Sequence, residues 1–369
     1  MIIQASSAIV DGSLLGNTWI ESSDGVITSV NPGIHSNPDT TTKGVLIPGF
    51  IDIHCHGGSG HYFSATSPDS TSAAINAHKK TGTTSLVASL VSESINDLKV
   101  QIQRLIPFYN RGEIVGIHLE GPYLSHARCG AHEPSLLIDP TVEQLKELIA
   151  IGQGSIRMVT IAPELKGALD AIKYLASVGV IAAVGHTDGN FQDASAATDN
   201  GASVVTHFLN AMNKENVEGS IANFVFNDPR LAVELIVDGH HLSFEKVKEL
   251  FASFGPRIIT VSDAMAAAGN GDGNYTIGAL PVEVKDGVAR LVSNQGLAGS
   301  TLTISEAFKN LISECGVSLQ QAVHATSTLP AQLLGLSDRG RIAVGQRADI
   351  LSFNPNSKSI EVLFSNELP

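Results

Sequence analysis

Six side chains in this sequence could hold a cation or move a proton, and each stands at the end of a short apolar run. His54-Cys55-His56 follows FIDI, Glu120 follows GIHL and precedes Gly121-Pro122, His186 follows VIAAVG, His207 follows ASVVT, and Asp263 follows RIITVS. Alternate residues of an extended run share a face, so His54 and His56 point one way and Cys55 the other. Imidazole is the commonest neutral metal ligand near neutral pH, yet an HxH pair alone also describes two hydrogen-bonded core histidines. A carboxylate at a buried strand end costs several kcal/mol unless it is paired, protonated or bound to a cation. Taken singly, Glu120 reads as half of an ion pair, and His186 and His207 as satisfied core histidines. Brought to one mouth, the six form a mixed nitrogen and oxygen set suited to zinc, manganese or iron. Asp263 beside such an ion could take a proton from water and later return it to a leaving group. A purely structural ligand is the alternative.

Convergence of this kind needs a scaffold, and the spacing supplies one. Apolar, β-branched runs recur as VLIPGFIDI (45–53), TSLVASLV (84–91), EIVGIHL (113–119), IRMVTIA (156–162), VIAAVG (180–185), ASVVTHF (202–208), LAVELIV (231–237) and RIITVS (257–262). Between most of them lie helical periods such as TVEQLKELIA and SFEKVKELFASFG. Strand–helix alternation repeated in this way predicts a (β/α)8 TIM-type barrel, whose strand ends at one face carry the chemistry. An open doubly wound sheet would want GxGxxG after its first strand, and the chain reads GGSGHY there. The turn-punctuated strands of residues 1–47 and 341–369 predict a small β-sandwich domain built from both termini. Residues 48–340 form the barrel, with a β-hairpin inserted at about 274–296.

Composition narrows the partners. Lys and Arg number 23 against 36 Asp and Glu, a formal charge of −13, which argues against nucleic acid. No apolar run approaches the ~18 residues of a membrane span, and the opening MIIQASSAIVDG, with no basic stretch before an apolar one, is not expected to be a signal peptide. The three cysteines, Cys55, Cys129 and Cys315, are odd in number and widely spaced. A disulfide framework is therefore not expected, and a cytoplasmic protein is.

The segments IPGFIDIHCHG, HLEGPYL, GHT, THFLNAM, DGHHL, SDAM and LAGSTLT together resemble the amidohydrolase superfamily, and within it the N-acetylglucosamine-6-phosphate deacetylase family. The likeness covers essentially the whole chain, including the closing GRIAVGQRADI. It implies hydrolysis of a sugar acetamide to acetate and an amine, with Glu120, His186 and His207 as the main metal ligands and Asp263 as the catalytic acid/base. His54 and His56 would hold a second ion, so one or two divalent metals are expected, zinc foremost, with iron, manganese or cobalt as alternatives. Substrate contacts are implied for Ala131 and His132, Asn210 and Ala211, the stretch Asp238, Gly239, His240 and His241, and Leu297, Ala298 and Gly299. The loop 123–135 is a candidate lid, and a homodimer is the implied assembly.

Two departures matter. Other amidohydrolases carry a carboxylated lysine at the end of strand four, where this chain reads Ile161-Ala162-Pro163-Glu164. Glu120 takes that place, which counts against dihydroorotase-like and hydantoinase-like activities, although Lys166 is near. The family also places a phosphate-binding arginine beyond NAM, at or near Val217, and no arginine stands there. Losing a bidentate clamp is not conservative. Lys214, Arg128 and Arg230 are the candidates to replace it. The rival readings are an unphosphorylated or different N-acetyl amino sugar, another amidohydrolase reaction on cyclic amides or aminopurines, and a non-enzymatic scaffold.

Overall fold

The computed structural model describes residues 1–364, so residues 365–369 of the expected terminal segment lie outside the described residues. Eight parallel strands form the central sheet in sequential order: β1 (Phe50–Cys55), β2 (Thr83–Leu90), β3 (Gly116–Glu120), β4 (Ile156–Ile161), β5 (Ile181–Val184), β6 (Ala202–Val205), β7 (Ala232–Ile236) and β8 (Ile258–Val261). These strands are buried on both faces almost throughout, which is why they read as continuous apolar runs. The sheet closes between its first strand and the segment after its eighth. The Asp263 amide donates to His54 O at 2.9 Å, and the His56 amide to Ala264 O at 2.8 Å. The fold is thus a TIM-type barrel.

Helices return the chain between strands, and polar residues start them. Ser94, Thr141, Ser243 and Thr303 each accept an amide bond from the first turn, and Asn190, Thr303 and Ser318 form reciprocal capping boxes.

The first predicted run divides. Thr40–Pro48 belongs to the terminal sheet and Phe50–Cys55 to the barrel, with Gly49 between them. A Cβ at Gly49 would lie 2.2 Å from Thr84 Oγ1, so only glycine lets the chain pass this close to β2. The terminal strands do form a small β unit. They are continuous in one seven-stranded sheet, in which Thr40–Pro48 joins the N-terminal strand Ile2–Val10 to the C-terminal strand Ile350–Asn354. That sheet curls until Ile27 N meets Gln346 O at 2.8 Å, enclosing Ile3, Ile20, Ile27, Leu46 and Ile350.

The inserted hairpin is in fact a three-stranded meander, Gly273–Ile277, Leu280–Lys285 and Val288–Leu291. A second turn at Gly278, with φ of 53°, adds the extra strand ahead of the Asp286-Gly287 turn. Ile277, Val282, Val284 and Leu291 pack with Met265 and Ala298, seating the meander against the barrel mouth.

Candidate active site

The C-terminal strand ends bring all six predicted chemical residues together. Glu120 is the hub. Its Oε1 lies 3.0 Å from His207 Nε2 and 3.2 Å from His186 Nε2, and its Oε2 lies 3.1 Å from His56 Nε2 and 3.4 Å from His132 Nε2. Asp263 Oδ1 is 3.3 Å from His56 Nε2 and 3.5 Å from His54 Nε2. His186, His207 and Asp263 have φ of 48°, 27° and 47°. Non-glycine residues rarely hold that left-handed region, and such strain collects at functional sites.

The hydrogen bonds behind the rings decide what faces inward. His186 Nδ1 donates to Arg128 O at 2.9 Å, because a carbonyl can only accept. In the neutral form that a metal ligand requires, the ring therefore aims its Nε2 lone pair at the Glu120 carboxylate. His54 Nδ1 donates to Glu234 Oε2 at 3.1 Å, so its Nε2, which faces Glu120 and Asp263, must carry either a proton or a metal ion. Lone pairs opposed to carboxylates at these distances repel unless a cation stands between them. The donor set fits a divalent metal ion.

The charges agree. Burial opposes a protonated His54, yet Glu120 and Asp263 raise its pKa well above the ordinary value. Burial likewise disfavours ionised Glu120 and Asp263, but the surrounding imidazoles hold Glu120 well below the carboxylate range and Asp263 at about 2. The site asks for positive charge.

His132 is set differently. The Ser92 amide donates to its Nδ1 at 3.2 Å, so the ring carries its proton on Nε2. Burial lowers its pKa to about 4, leaving a neutral donor at the mouth. His118, on β3 beside Glu120, is bonded on both sides by Ser89 and Thr160 and is a satisfied core histidine.

A cavity of about 600 Å³ opens over these groups, lined by His56, Glu120, His132, His186, His207, Asp263, Ala131, Asn210, Ala211, His241, Leu297 and Gly299, with Arg128, Cys129 and Gly130 along one side. The meander supplies Ile277 and Leu291. Asn210 directs its amide NH2 at His207 O and Phe208 O, which leaves Oδ1 as the acceptor.

Four expected contacts do not line the cavity. Asp238 turns away to accept from His241 Nδ1 at 2.7 Å and from the amides of His240 and His241, so it shapes the turn. Gly239 and His240 are part of that turn, and Ala298 is buried in the meander core. The loop 123–135 is pinned by Ser125 N to His186 O, by the Arg128 O bond and by Ser92 with His132. It forms a wall more than a swinging lid. Lys166 lines a separate cleft with Asp139 and Asp170, and no lysine of the described residues lines the cavity.

Of the three candidate clamps, only Arg128 reaches the cavity. Its Nε donates to Asp188 Oδ1 at 2.9 Å and its Nη2 bonds Asn213 Oδ1. Arg230 is bound at the surface by Asp228 and Asp199, and Lys214 is exposed elsewhere. Glu234 was not legible as a site residue. Its one sequence signal is an acidic residue inside the apolar run LAVELIV.

The amidohydrolase family model matches residues 45–367. The chain belongs to the amidohydrolase family. This metal-dependent family contains several similar proteins. An N-acetylgalactosamine-6-phosphate deacetylase of Escherichia coli O157:H7 is 32% identical over 96% of this chain and 95% of its own. An N-acetylglucosamine-6-phosphate deacetylase of Vibrio furnissii is 33% identical over 83% and 78%. The structure of an aspartate-to-alanine variant of the Mycobacterium smegmatis N-acetyl-D-glucosamine-6-phosphate deacetylase, in complex with N-acetyl-D-glucosamine-6-phosphate, superposes with a TM-score of 0.95. It is 38% identical and covers 100% of this chain and 98% of that one. In this amidohydrolase the Glu120 carboxylate lies between His186 and His207 on one oxygen and His56 and His132 on the other, with Asp263 beside His56.

Proposed function

We propose that this amidohydrolase removes the acetyl group of N-acetylglucosamine-6-phosphate, giving acetate and glucosamine-6-phosphate. The carrying observation is that Glu120, His186 and His207 meet Asp263 at the floor of a cavity whose sides bear Arg128 and His241. Deacetylases of this kind among the similar proteins support the substrate class. Glu120, His186 and His207 would hold the main ion, and His54 and His56 a second. A bound divalent ion, zinc foremost, supplies Lewis acidity to the acetamide carbonyl and to water.

The protein's own groups do the rest. Asp263, held ionised, takes a proton from the attacking water, and the oxygen bonds to the acetyl carbon. Asp263 then hands that proton to the amide nitrogen, which leaves as the amine when the C–N bond breaks. His132 donates from Nε2 to the reacting carbonyl or a sugar hydroxyl. Asn210 offers Oδ1 to a hydroxyl. His241, steadied at Nδ1 by Asp238, and Arg128 bind the phosphate by charge-assisted bonds.

Steady-state kcat/KM on N-acetylglucosamine-6-phosphate, N-acetylgalactosamine-6-phosphate and unphosphorylated N-acetylglucosamine tests the assignment. The 6-phosphoglucosamine substrate is expected to lead. Greater efficiency on the 4-epimer or equal efficiency without phosphate would reassign the substrate, and turnover of hydantoins or aminopurines alone would overturn it. A homodimer belongs to the same reading, checked by light scattering. The three unpaired cysteines suit a reducing cytoplasm, and no helix among the described residues is long and apolar enough to cross a membrane.

A further inference from the structure

Glu234 has no part in the reaction just described, yet it sits beneath it. It lies in mid-strand on β7, opposite Ile259 of β8, and is 0% exposed. A carboxylate there needs a reason, because an isolated charge in a dry interior is strongly disfavoured.

Its bonds show what it touches. Glu234 Oε2 accepts from His54 Nδ1 at 3.1 Å and from the backbone amide of His207 at 3.2 Å. Its main-chain oxygen accepts the Phe208 amide at 2.8 Å. Its second carboxylate oxygen, Oε1, has no hydrogen-bond partner among the described residues. One oxygen therefore ties a ligand side chain from β1 to the backbone that carries a ligand after β6. That backbone is the strained turn at His207, with φ of 27°.

The four ligand histidines are not equally supported. His186 leans on a main-chain carbonyl, whereas the Nδ1 atoms of His56 and His207 have no partner among the described residues. Among the described residues, only His54 has a carboxylate behind it. A carboxylate accepting Nδ1–H fixes the tautomer, holds the ring plane and makes the opposite nitrogen a better donor. The His54 ring is further pinned edge-on by His118 at 4.6 Å between centroids.

We propose that Glu234 is a positioning residue that presents His54 to its metal ion and sets how tightly that ion is held. It rests on the metal-dependent reading above and goes beyond it, since Glu234 touches neither substrate nor ion. The same oxygen couples that ion to the His207 side of the site through the His207 amide.

The test is cobalt(II) titration of chelated, metal-free protein, followed by visible absorption and by elemental analysis after desalting. Wild type, His54→Asn, Glu234→Gln and Glu234→Leu are compared. Glu234→Leu should weaken by roughly 10- to 100-fold the same binding step that His54→Asn weakens. Glu234→Gln keeps an acceptor for Nδ1–H and should fall between Glu234→Leu and wild type. Unchanged cobalt affinity and spectrum in a folded Glu234→Leu or Glu234→Gln protein would overturn the proposal. So would a loss confined to a step that His54→Asn leaves intact. Failure of wild type to bind cobalt at all would instead overturn the metal-dependent reading on which it rests.

Discussion

Asp238 and His241 form a tight pair at the cavity edge, with Oδ2 and Nδ1 2.7 Å apart and both side chains largely buried. Asp238 also accepts the amides of His240 and His241. The aspartate thus fixes the ring of a cavity residue without facing the cavity itself.

That pair has a pH signature. Burial pushes the Asp238 carboxyl up, but His241 and the two amides outweigh it and hold the pKa below the ordinary value. A depressed folded-state pKa gives stability that is complete above the unfolded value of ~3.9 and is lost as pH falls through the lower folded one. The Tm difference between wild type and Asp238→Asn should be level above about pH 5 and shrink below about pH 4. A difference independent of pH would show that the pair does not stabilise the fold through ionised Asp238.

Asp263→Asn should lose about 10²- to 10⁴-fold in kcat, because the amide cannot accept and return a proton. Elemental analysis should still find the ion proposed at Glu120, His186 and His207, since those groups are untouched. Full turnover in this variant would remove Asp263 from the proton path.

Arg128→Ala should lower kcat/KM for the phosphorylated sugar while leaving the unphosphorylated sugar nearly unchanged. A charge-assisted bond is worth about 1.5–3 kcal/mol, or roughly 10- to 150-fold. Arg230→Ala serves as the control and should change neither. Parallel losses on both sugars would assign Arg128 to holding the loop through Asp188 and Asn213.

Gly130→Ala is expected to loosen metal binding without touching a ligand. Gly130 has φ of 57°, and an added Cβ would lie 2.9 Å from His186 Cε1. The ring or the loop must move. Isothermal titration should show weaker zinc affinity, and crystallography a displaced His186.

Chelation should destabilise the fold as well as abolish activity. With free metal at a thousand times Kd, binding contributes about 4 kcal/mol to the folded state. Removing it should lower Tm by several degrees, and added zinc should restore it. An unchanged Tm would mean that the opposed lone pairs and carboxylates relax cheaply.

The barrel was legible because its strands are buried on both faces and so appear as uninterrupted β-branched runs. His54, His56, Glu120, His186, His207 and Asp263 were legible because polar residues closing such runs are conspicuous. Glu234 was not, since nothing local to LAVELIV tells which ring lies across the barrel, 180 positions away at His54. Arg128 could be named only as one of three candidate clamps, because its partner Asp188 is 60 positions distant. Asp238 differs in the opposite sense. It stands within a motif implied to touch substrate, while its own oxygens are taken by the next turn. The meander was read one strand short because the Asp286-Gly287 turn is plain in sequence and the one at Gly278 is not.

The barrel's seam falls between His54–His56 and Asp263–Ala264, so it runs through three of the proposed site residues. The bonds that close the cylinder therefore also hold Asp263 beside His54 and His56. Ring closure and site geometry are one and the same join, so substitutions in the distant walls that slacken the seam are expected to register in turnover as well as in stability.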